Sequence, residues 1–144
     1  MALIDDLGAG PVGVDTAIFI YFIEENSRFL PLTMPVFSAA DSGKIELVVS
    51  ALTLLEVLVV PYRAGNVALA QRYEALLTRS RGIRMVDLNR DHMRLAAQLR
   101  AATGAATPDS LQLATSLAAG CSSFLTNDRR MPSIPGLKVV QLDR

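Results

Sequence analysis

Residues 107–128 read TPDSLQLATSLAAGCSSFLTND, and this stretch predicts a helix followed directly by a strand. Thr107 is a favourable N-cap residue, Pro108 suits the first helical position, and Gly120 provides a left-handed stop. The short apolar run after Gly120 predicts a strand that ends in a Thr-Asn-Asp turn. One carboxylate, Asp109, therefore opens the helix, and another, Asp128, follows the strand.

These two carboxylates are expected to lie at one edge of the fold. In an open α/β sheet, helix N-termini and strand C-termini meet at the same edge, where such folds place their sites. Each acid also has an ordinary interpretation, because Asp109 complements a helix dipole and Asp128 suits a turn. A functional interpretation therefore depends on whether other carboxylates reach the same edge.

Strands and helices alternate along the rest of the chain, which predicts an α/β protein. The predicted strands are residues 11–14, 46–49, 83–86, 122–125 and 138–142, and the predicted helices are 17–23, 34–42, 51–60, 67–79, 89–99 and 107–119. This alternation is typical of a mostly parallel central sheet with helices on both faces, a three-layer α/β/α sandwich.

Length and composition predict one soluble domain over residues 1–144, with residues 1–11 as an N-terminal extension. The chain has 144 residues, of which 51% are hydrophobic, enough for one core. Its one cysteine, Cys121, excludes an internal disulfide and agrees with a reducing compartment. The N-terminus lacks a signal-peptide pattern, and no apolar run is long enough for a bilayer, so we expect a cytoplasmic protein without a membrane partner.

The charge balance is compatible with RNA as a substrate without demanding it. The 14 basic and 14 acidic residues cancel, which argues against a nucleic-acid partner held by bulk charge. If four acids are gathered in one site, 14 basic residues face only 10 acids elsewhere. All basic residues except Lys44 and Lys138 are arginines, which suit phosphate contacts, although coding-sequence composition explains this bias equally well.

Two further acids are candidates for the same edge. Asp15 follows the first predicted strand, where it is also a natural helix N-cap. Glu56 is the only charged residue between Glu46 and Arg63, and a carboxylate in such apolar company is costly unless it is paired or binds a metal. Pro61 is expected to kink or end the helix that carries Glu56.

Four acids without compensating cations predict a divalent metal site. The candidate ligands and catalytic residues are Asp15, Glu56, Asp109 and Asp128. An all-oxygen shell favours Mg²⁺ or Mn²⁺, which can activate water and neutralise a phosphodiester. His92, the only histidine, has no second His or Cys nearby, so a histidine-based site is not expected.

Residues beside these acids have candidate supporting roles. Thr16 and Thr126 place hydroxyls next to the proposed ligands, where they can support them by hydrogen bonding. Arg129 and Arg130 follow Asp128 and are candidates for binding a substrate phosphate. Solvated surface charge is the alternative for at least one of the two arginines.

The ordered set of motifs resembles the PIN-domain nucleases, and within them the VapC-type toxins of prokaryotic toxin–antitoxin pairs. The resemblance covers residues 12–142 and rests on Asp15-Thr16, Glu56, Thr107-Pro108-Asp109 and Leu125-Thr126-Asn127-Asp128. It implies a PIN-like fold in which the four acids hold Mg²⁺ or Mn²⁺. Within this set, Glu56 would act through a bound water molecule or on a second ion. The resemblance further implies endonucleolytic cleavage of RNA, often tRNA or ribosomal RNA, a cognate antitoxin that covers the site, and a homodimer.

Two features depart from the family pattern, and two other functions stay open. The segment of eleven residues before Val12 is longer than is usual in the family. In addition, Pro61 interrupts a helix that the family uses for partner contacts. Phospho-receiver and haloacid-dehalogenase folds fit poorly, because Asp5-Asp6 precedes the first strand and Ala17 stands where a second Asp would be needed. The alternatives are a catalytically silent RNA- or protein-binding module and an RNA-processing nuclease without an antitoxin.

Overall fold

A parallel sheet forms the centre of the computed structural model, which describes residues 2–143. Its strands are β1 (Val12–Val14), β2 (Leu47–Ser50), β3 (Ile83–Val86), β4 (Ser123–Thr126) and β5 (Lys138–Gln141). The strand order is β3-β2-β1-β4-β5, and each neighbouring pair is parallel. The prediction of a mostly parallel sheet is confirmed.

Helices connect the strands and cover both faces of the sheet. They are α1 (Leu3–Leu7), α2 (Thr16–Ile23), α3 (Leu30–Asp41), α4 (Ala51–Arg63), α5 (Val67–Arg79), α6 (Arg90–Thr103) and α7 (Thr107–Ala118). Alternate residues of a strand point to opposite faces, so each strand supplies two cores. Leu125 belongs to the core beneath α1 to α5, and its neighbour Phe124 belongs to the core beneath α6 and α7. The three-layer α/β/α architecture follows, as predicted.

Gly13 allows α7 to lie close against the middle of the sheet. A Cβ atom at this position would stand 1.9 Å from Ser116 Oγ and 2.9 Å from a Phe124 ring carbon, both far inside contact distance. Only a residue without a side chain therefore permits this approach. The position of α7, and with it the position of Asp109, depends on this contact.

Three local predictions differ from the structure. Thr107 is the first residue of α7 rather than its cap, because Ala106 has the extended backbone of the N-cap position, although its side chain cannot accept a capping hydrogen bond. Helix α4 continues through Pro61 to Arg63, since Val57 and Pro61 pack inward on the same face and offset the missing hydrogen bond. Helix α3 begins at Leu30 rather than at Met34, because Pro31 occupies the first turn, where proline is tolerated.

Helix α1 lies within the predicted N-terminal extension and is attached to the sheet. Leu7 is buried in the core, and its carbonyl accepts a hydrogen bond from Ser123 Oγ at 2.9 Å. Among residues 2–143, none of the helices is both long and apolar enough to cross a membrane.

Candidate active site

Two of the predicted acids emerge side by side from neighbouring strands. Strands β1 and β4 are paired with Val14 opposite Leu125, and the Asp15 amide donates to the Leu125 carbonyl at 2.9 Å. Asp15 follows the end of β1, and Asp128 lies in the turn after β4. The carboxyl ends of parallel strands thus deliver both side chains to one edge.

Helices α4 and α7 bring the other two acids to this edge. Asp109 lies in the first turn of α7, where the helix dipole favours a negative charge. Glu56 lies in the middle of α4, three residues after the fully buried Thr53. All four predicted acids line one open cleft of about 720 Å³. Its other lining residues are Thr16, Ala17, Ile20, Tyr21, Pro108, Gln112, Asn127, Arg129 and Arg130.

Asp15 is the most tightly held acid of the cleft. One of its oxygens accepts from the Thr16 amide at 2.8 Å, and the other accepts from Thr126 Oγ1 at 2.6 Å. Burial raises the pKa of Asp15, although these two hydrogen bonds oppose the increase. The charges of Asp109 and Glu56 raise it further, so the acids repel one another across the cleft.

Asp109 and Asp128 are in contrasting environments. Burial is the main cause that raises the pKa of Asp109, and the charge of Asp128 adds to it. Asp128 instead accepts hydrogen bonds from the side chain and amide of Arg130, which lower its pKa. Its own amide donates to Thr126 Oγ1 at 3.0 Å. Arg130 is thus an internal counter-ion at the rim of the cleft.

Glu56 is fixed by a network of buried hydroxyl and amide groups. Its Oε1 accepts from Thr16 Oγ1 at 2.7 Å, and Thr16 in turn contacts Thr53 and Gln112 at 2.9 and 3.0 Å. Thr16 and Thr126 are identifiable from their positions beside Asp15 and Asp128 in the sequence, whereas Thr53 and Gln112 were not predicted. The spacing of three residues from Thr53 to Glu56 and from Asp109 to Gln112 is the signal that could have found them, because it places each pair on one helix face.

The donor chemistry of the cleft suits a hard divalent cation, but the side chains do not form a coordination shell. All donors contributed by the four acids are oxygens, and their mutual repulsion is the electrostatic cost that such a cation relieves. Within residues 2–143, however, no three acidic, histidine or cysteine side chains are gathered closely enough to hold a metal ion. Asp128 faces Arg130, so joining a metal site requires it to exchange this partner.

The histidine and the cysteine of the chain, His92 and Cys121, lie in structural environments away from the cleft. His92 Nδ1 accepts from the Asn89 amide and completes a capping box at the start of α6. Cys121 is buried, and this burial raises the pKa of its thiol to about 11. Neither side chain lines the cleft.

The fold and the cleft define a three-layer α/β/α protein with an acidic site at the carboxyl edge of a parallel sheet. The chain belongs to the PIN domain family, whose model matches residues 12–137. The resemblance inferred from the ordered acids is thereby confirmed. No curated protein matches the sequence.

Three solved structures share this fold at low sequence identity. A toxin–antitoxin complex from Klebsiella pneumoniae has a TM-score of 0.66 and 19% identity, over 89% of this chain and 94% of that chain. VapBC2 from Rickettsia felis, bound to a DNA fragment from its promoter, has a TM-score of 0.70 and 14% identity, over 91% of this chain and 98% of that chain. DNA-bound VapBC from Salmonella typhimurium has a TM-score of 0.65 and 19% identity, over 92% of this chain and 98% of that chain. At the level of fold, the resemblance to the VapC type is confirmed.

Proposed function

We propose that this protein is a metal-dependent endoribonuclease and the toxin of a type II toxin–antitoxin pair. The observation that carries the proposal is the convergence of four mutually repelling carboxylates in one cleft of a PIN-domain fold. The proposed reaction is hydrolysis of a phosphodiester in RNA, with tRNA or ribosomal RNA as the substrate class. Water supplies the new hydroxyl on phosphorus, and the departing ribose oxygen receives a proton.

The proposed ligands for Mg²⁺ or Mn²⁺ are Asp15, Glu56, Asp109 and Asp128. When bound, such an ion provides activated water and neutralises charge on the phosphate. Asp15 is already oriented by Thr16 and Thr126, which supports a role for these hydroxyls in aligning it. Arg130 shields Asp128 in the absence of an ion, and in the active state it contacts the substrate phosphate together with Arg129.

The lining of the cleft supports a nucleotide as ligand. Ala17, Ile20 and Tyr21 share one face of α2 and form an apolar wall beside the acids. The Tyr21 ring is stacked on Phe29 at 4.4 Å between centroids, and its hydroxyl accepts from Asn127 Nδ2 at 3.3 Å. A fixed aromatic ring next to an arginine rim provides separate contacts for a base and a phosphate.

Two protein partners are part of the proposal. We expect a cognate antitoxin to place a basic segment in the acidic cleft, because opposite charge there relieves the repulsion among the acids. We also expect a homodimer through an apolar stripe on α4, in which Leu55, Val60 and Tyr62 are 60% exposed or more. The proposed location of both interactions is the cytoplasm.

Two observations favour a different function, a PIN-like module that binds RNA or protein without cutting. The cleft lacks an assembled group of three potential metal ligands, and Asp128 is paired with Arg130. In that case metal should have no effect on RNA. An RNA-processing nuclease without an antitoxin would share the chemistry of the main proposal and differ only in its partner.

Cleavage of total cellular RNA by the purified protein tests the proposal. Discrete fragments that require Mg²⁺ or Mn²⁺, disappear with chelator, and are absent with Asp109→Asn are expected. A folded, metal-loaded protein that cleaves no class of RNA would support the binding module instead. Copurification with a small protein expressed from a neighbouring gene, and inhibition by it, would distinguish a toxin from a processing nuclease.

A further inference from the structure

Three polar side chains from three different helices meet at the floor of the cleft. Thr16 of α2, Thr53 of α4 and Gln112 of α7 are 9%, 0% and 3% exposed. Gln112 Nε2 lies 3.0 Å from Thr16 Oγ1 and 2.9 Å from Thr53 Oγ1, and the two hydroxyls lie 2.9 Å apart. Buried polar groups of this kind are retained only where their hydrogen bonds are made.

The number of hydrogens in this cluster determines the direction of each bond. The Gln112 amide nitrogen carries two hydrogens and donates one to each threonine hydroxyl. Thr16 donates its single hydrogen to Glu56 Oε1, at 2.7 Å. Thr16 then has no hydrogen left for Thr53, and Thr53 must be the donor between them. The donor-to-acceptor direction of the hydrogen bonds therefore runs from Gln112 through the two threonine hydroxyls to Glu56.

We propose that Gln112 and Thr53 are positioning residues for Glu56, a role that rests on the proposed nuclease function. By occupying both acceptor sites of the Thr16 hydroxyl, they leave its hydrogen directed at Glu56 Oε1. The hydrogen bond to the carboxylate is of the stronger, charge-assisted kind. It fixes one oxygen of Glu56 and leaves the other for the cleft.

Substitutions at Thr53 can distinguish a positioning role from direct participation in the reaction. Thr53 is fully buried and does not line the cleft, so it can influence the reaction only through the side chains it contacts, Thr16 and Gln112. Thr53→Val removes its hydroxyl at nearly constant volume, and Thr53→Ser retains the hydroxyl. Gln112→Met similarly removes both donors at similar side-chain length.

The first test compares the kinetic constants of these variants on a cleaved RNA. Thr53→Val and Gln112→Met should lower kcat by about 10–100-fold, the usual effect of losing a partner of a metal-binding group, while KM stays near that of the wild type. Thr53→Ser should restore most of the activity. Equal kcat values for Thr53→Val and the wild type would overturn the inference.

A matched control separates positioning from general destabilisation. Ser123→Ala also removes a buried hydrogen bond, of 2.9 Å to the Leu7 carbonyl, at the opposite end of β4 from the cleft. It should shift the urea midpoint of unfolding by an amount comparable to Thr53→Val without lowering kcat. A similar loss of kcat in Ser123→Ala would show that stability alone explains the result and would overturn the inference.

A second test does not depend on activity. In chelator, urea midpoints are measured for Thr53→Val, Glu56→Gln and the double variant. A directional network predicts that the two shifts are not additive, because either change breaks the same chain of bonds. Additive shifts would overturn the inference even in an active enzyme. An inactive wild type with non-additive shifts would refute the proposed nuclease function and leave the network intact.

Discussion

At the residue scale, Asp15 shows why the acidic cleft lowers the stability of the folded protein when no counter-ion is bound there. Its pKa is raised above 3.8 in the folded protein, mainly by burial. The folded state therefore retains this proton at pH values where the unfolded chain has lost it. The contribution of Asp15 to the free energy of unfolding consequently falls as the pH rises through this range, and the loss persists at pH 7.

The Asp15→Asn variant should lose activity and gain relative stability. Cleavage should fall by at least about 100-fold, since losing a proposed metal ligand should exceed the 10–100-fold effect of losing its supporting partner. In chelator, the unfolding free energy of the variant relative to the wild type should increase as the pH is raised from 3 to 7, because asparagine has no proton to lose and so acquires no buried charge. Urea unfolding at several pH values measures this difference. A pH-independent difference would contradict the assigned burial effect.

Arg130 is expected to act on substrate binding rather than on turnover. Arg130→Gln should raise KM for RNA and reduce the slope of log KM against log salt by about 0.7, the value for one phosphate contact on a single strand. The matched control is Arg94→Gln, because Arg94 forms a comparable surface pair with Asp91 on α6, outside the cleft. An unchanged salt slope in Arg130→Gln would exclude the phosphate contact.

The sequence located individual acids better than it located their surroundings. Strand ends and helix starts are local patterns, so the placement of Asp15 and Asp109 followed from them. The pairing of Asp128 with Arg130 depends on side-chain rotation within a turn, and the meeting of Gln112 with Thr53 spans 59 positions along the chain. No local periodicity contains either of these contacts.

Helix α7 determines the geometry of the site at the element scale through its contact with Gly13. Gly13→Ala should destabilise the fold by about 1–3 kcal/mol, the usual cost of overpacking, because the new methyl group would overlap Ser116. It should also lower cleavage by displacing Asp109. Urea unfolding and RNA cleavage measure the two effects.

The side chain opposite Gly13 provides the control for this prediction. In a Ser116→Gly background the Gly13→Ala substitution should cost less, because both the Oγ and Cβ atoms it would meet are gone. Equal costs in the two backgrounds would show that the remaining contact with Phe124, rather than the one with Ser116, determines the cost.

Element boundaries were predicted where strong local signals agree, and missed where packing overrides them. The helix over residues 67–79 and the strand over residues 83–86 match the structure at both ends. Pro61 was expected to disturb α4, yet it lies on the inward face with Val57, and tertiary packing retains the helix. The short helix α1 was not predicted, because five residues carry too little periodicity.

The exposed stripe on α4 leads to a prediction for the whole molecule. Leu55, Val59 and Tyr62 follow a helical spacing of four and three residues, and Val60 beside them is 63% exposed. Val60→Glu should convert a homodimer into a monomer, because the new charge would be buried in the interface. Light scattering during size-exclusion chromatography measures the mass.

An exposed methionine on another helix supplies the control. Met93 of α6 is 44% exposed and lies outside the stripe, so Met93→Glu should leave the mass unchanged. A wild-type monomer, or a dimer that survives Val60→Glu, would place subunit contacts elsewhere or exclude them.

The strand order β3-β2-β1-β4-β5 also determines when the cleft can first exist during synthesis. Strand β1 is made early, but its neighbour β4 and the turn that carries Asp128 are translated only after all seven described helices. A nascent chain halted before β4 has Asp15 at an open sheet edge, without Thr126 to orient it. Translation therefore leaves the acidic cleft incomplete until nearly the whole described chain has been made.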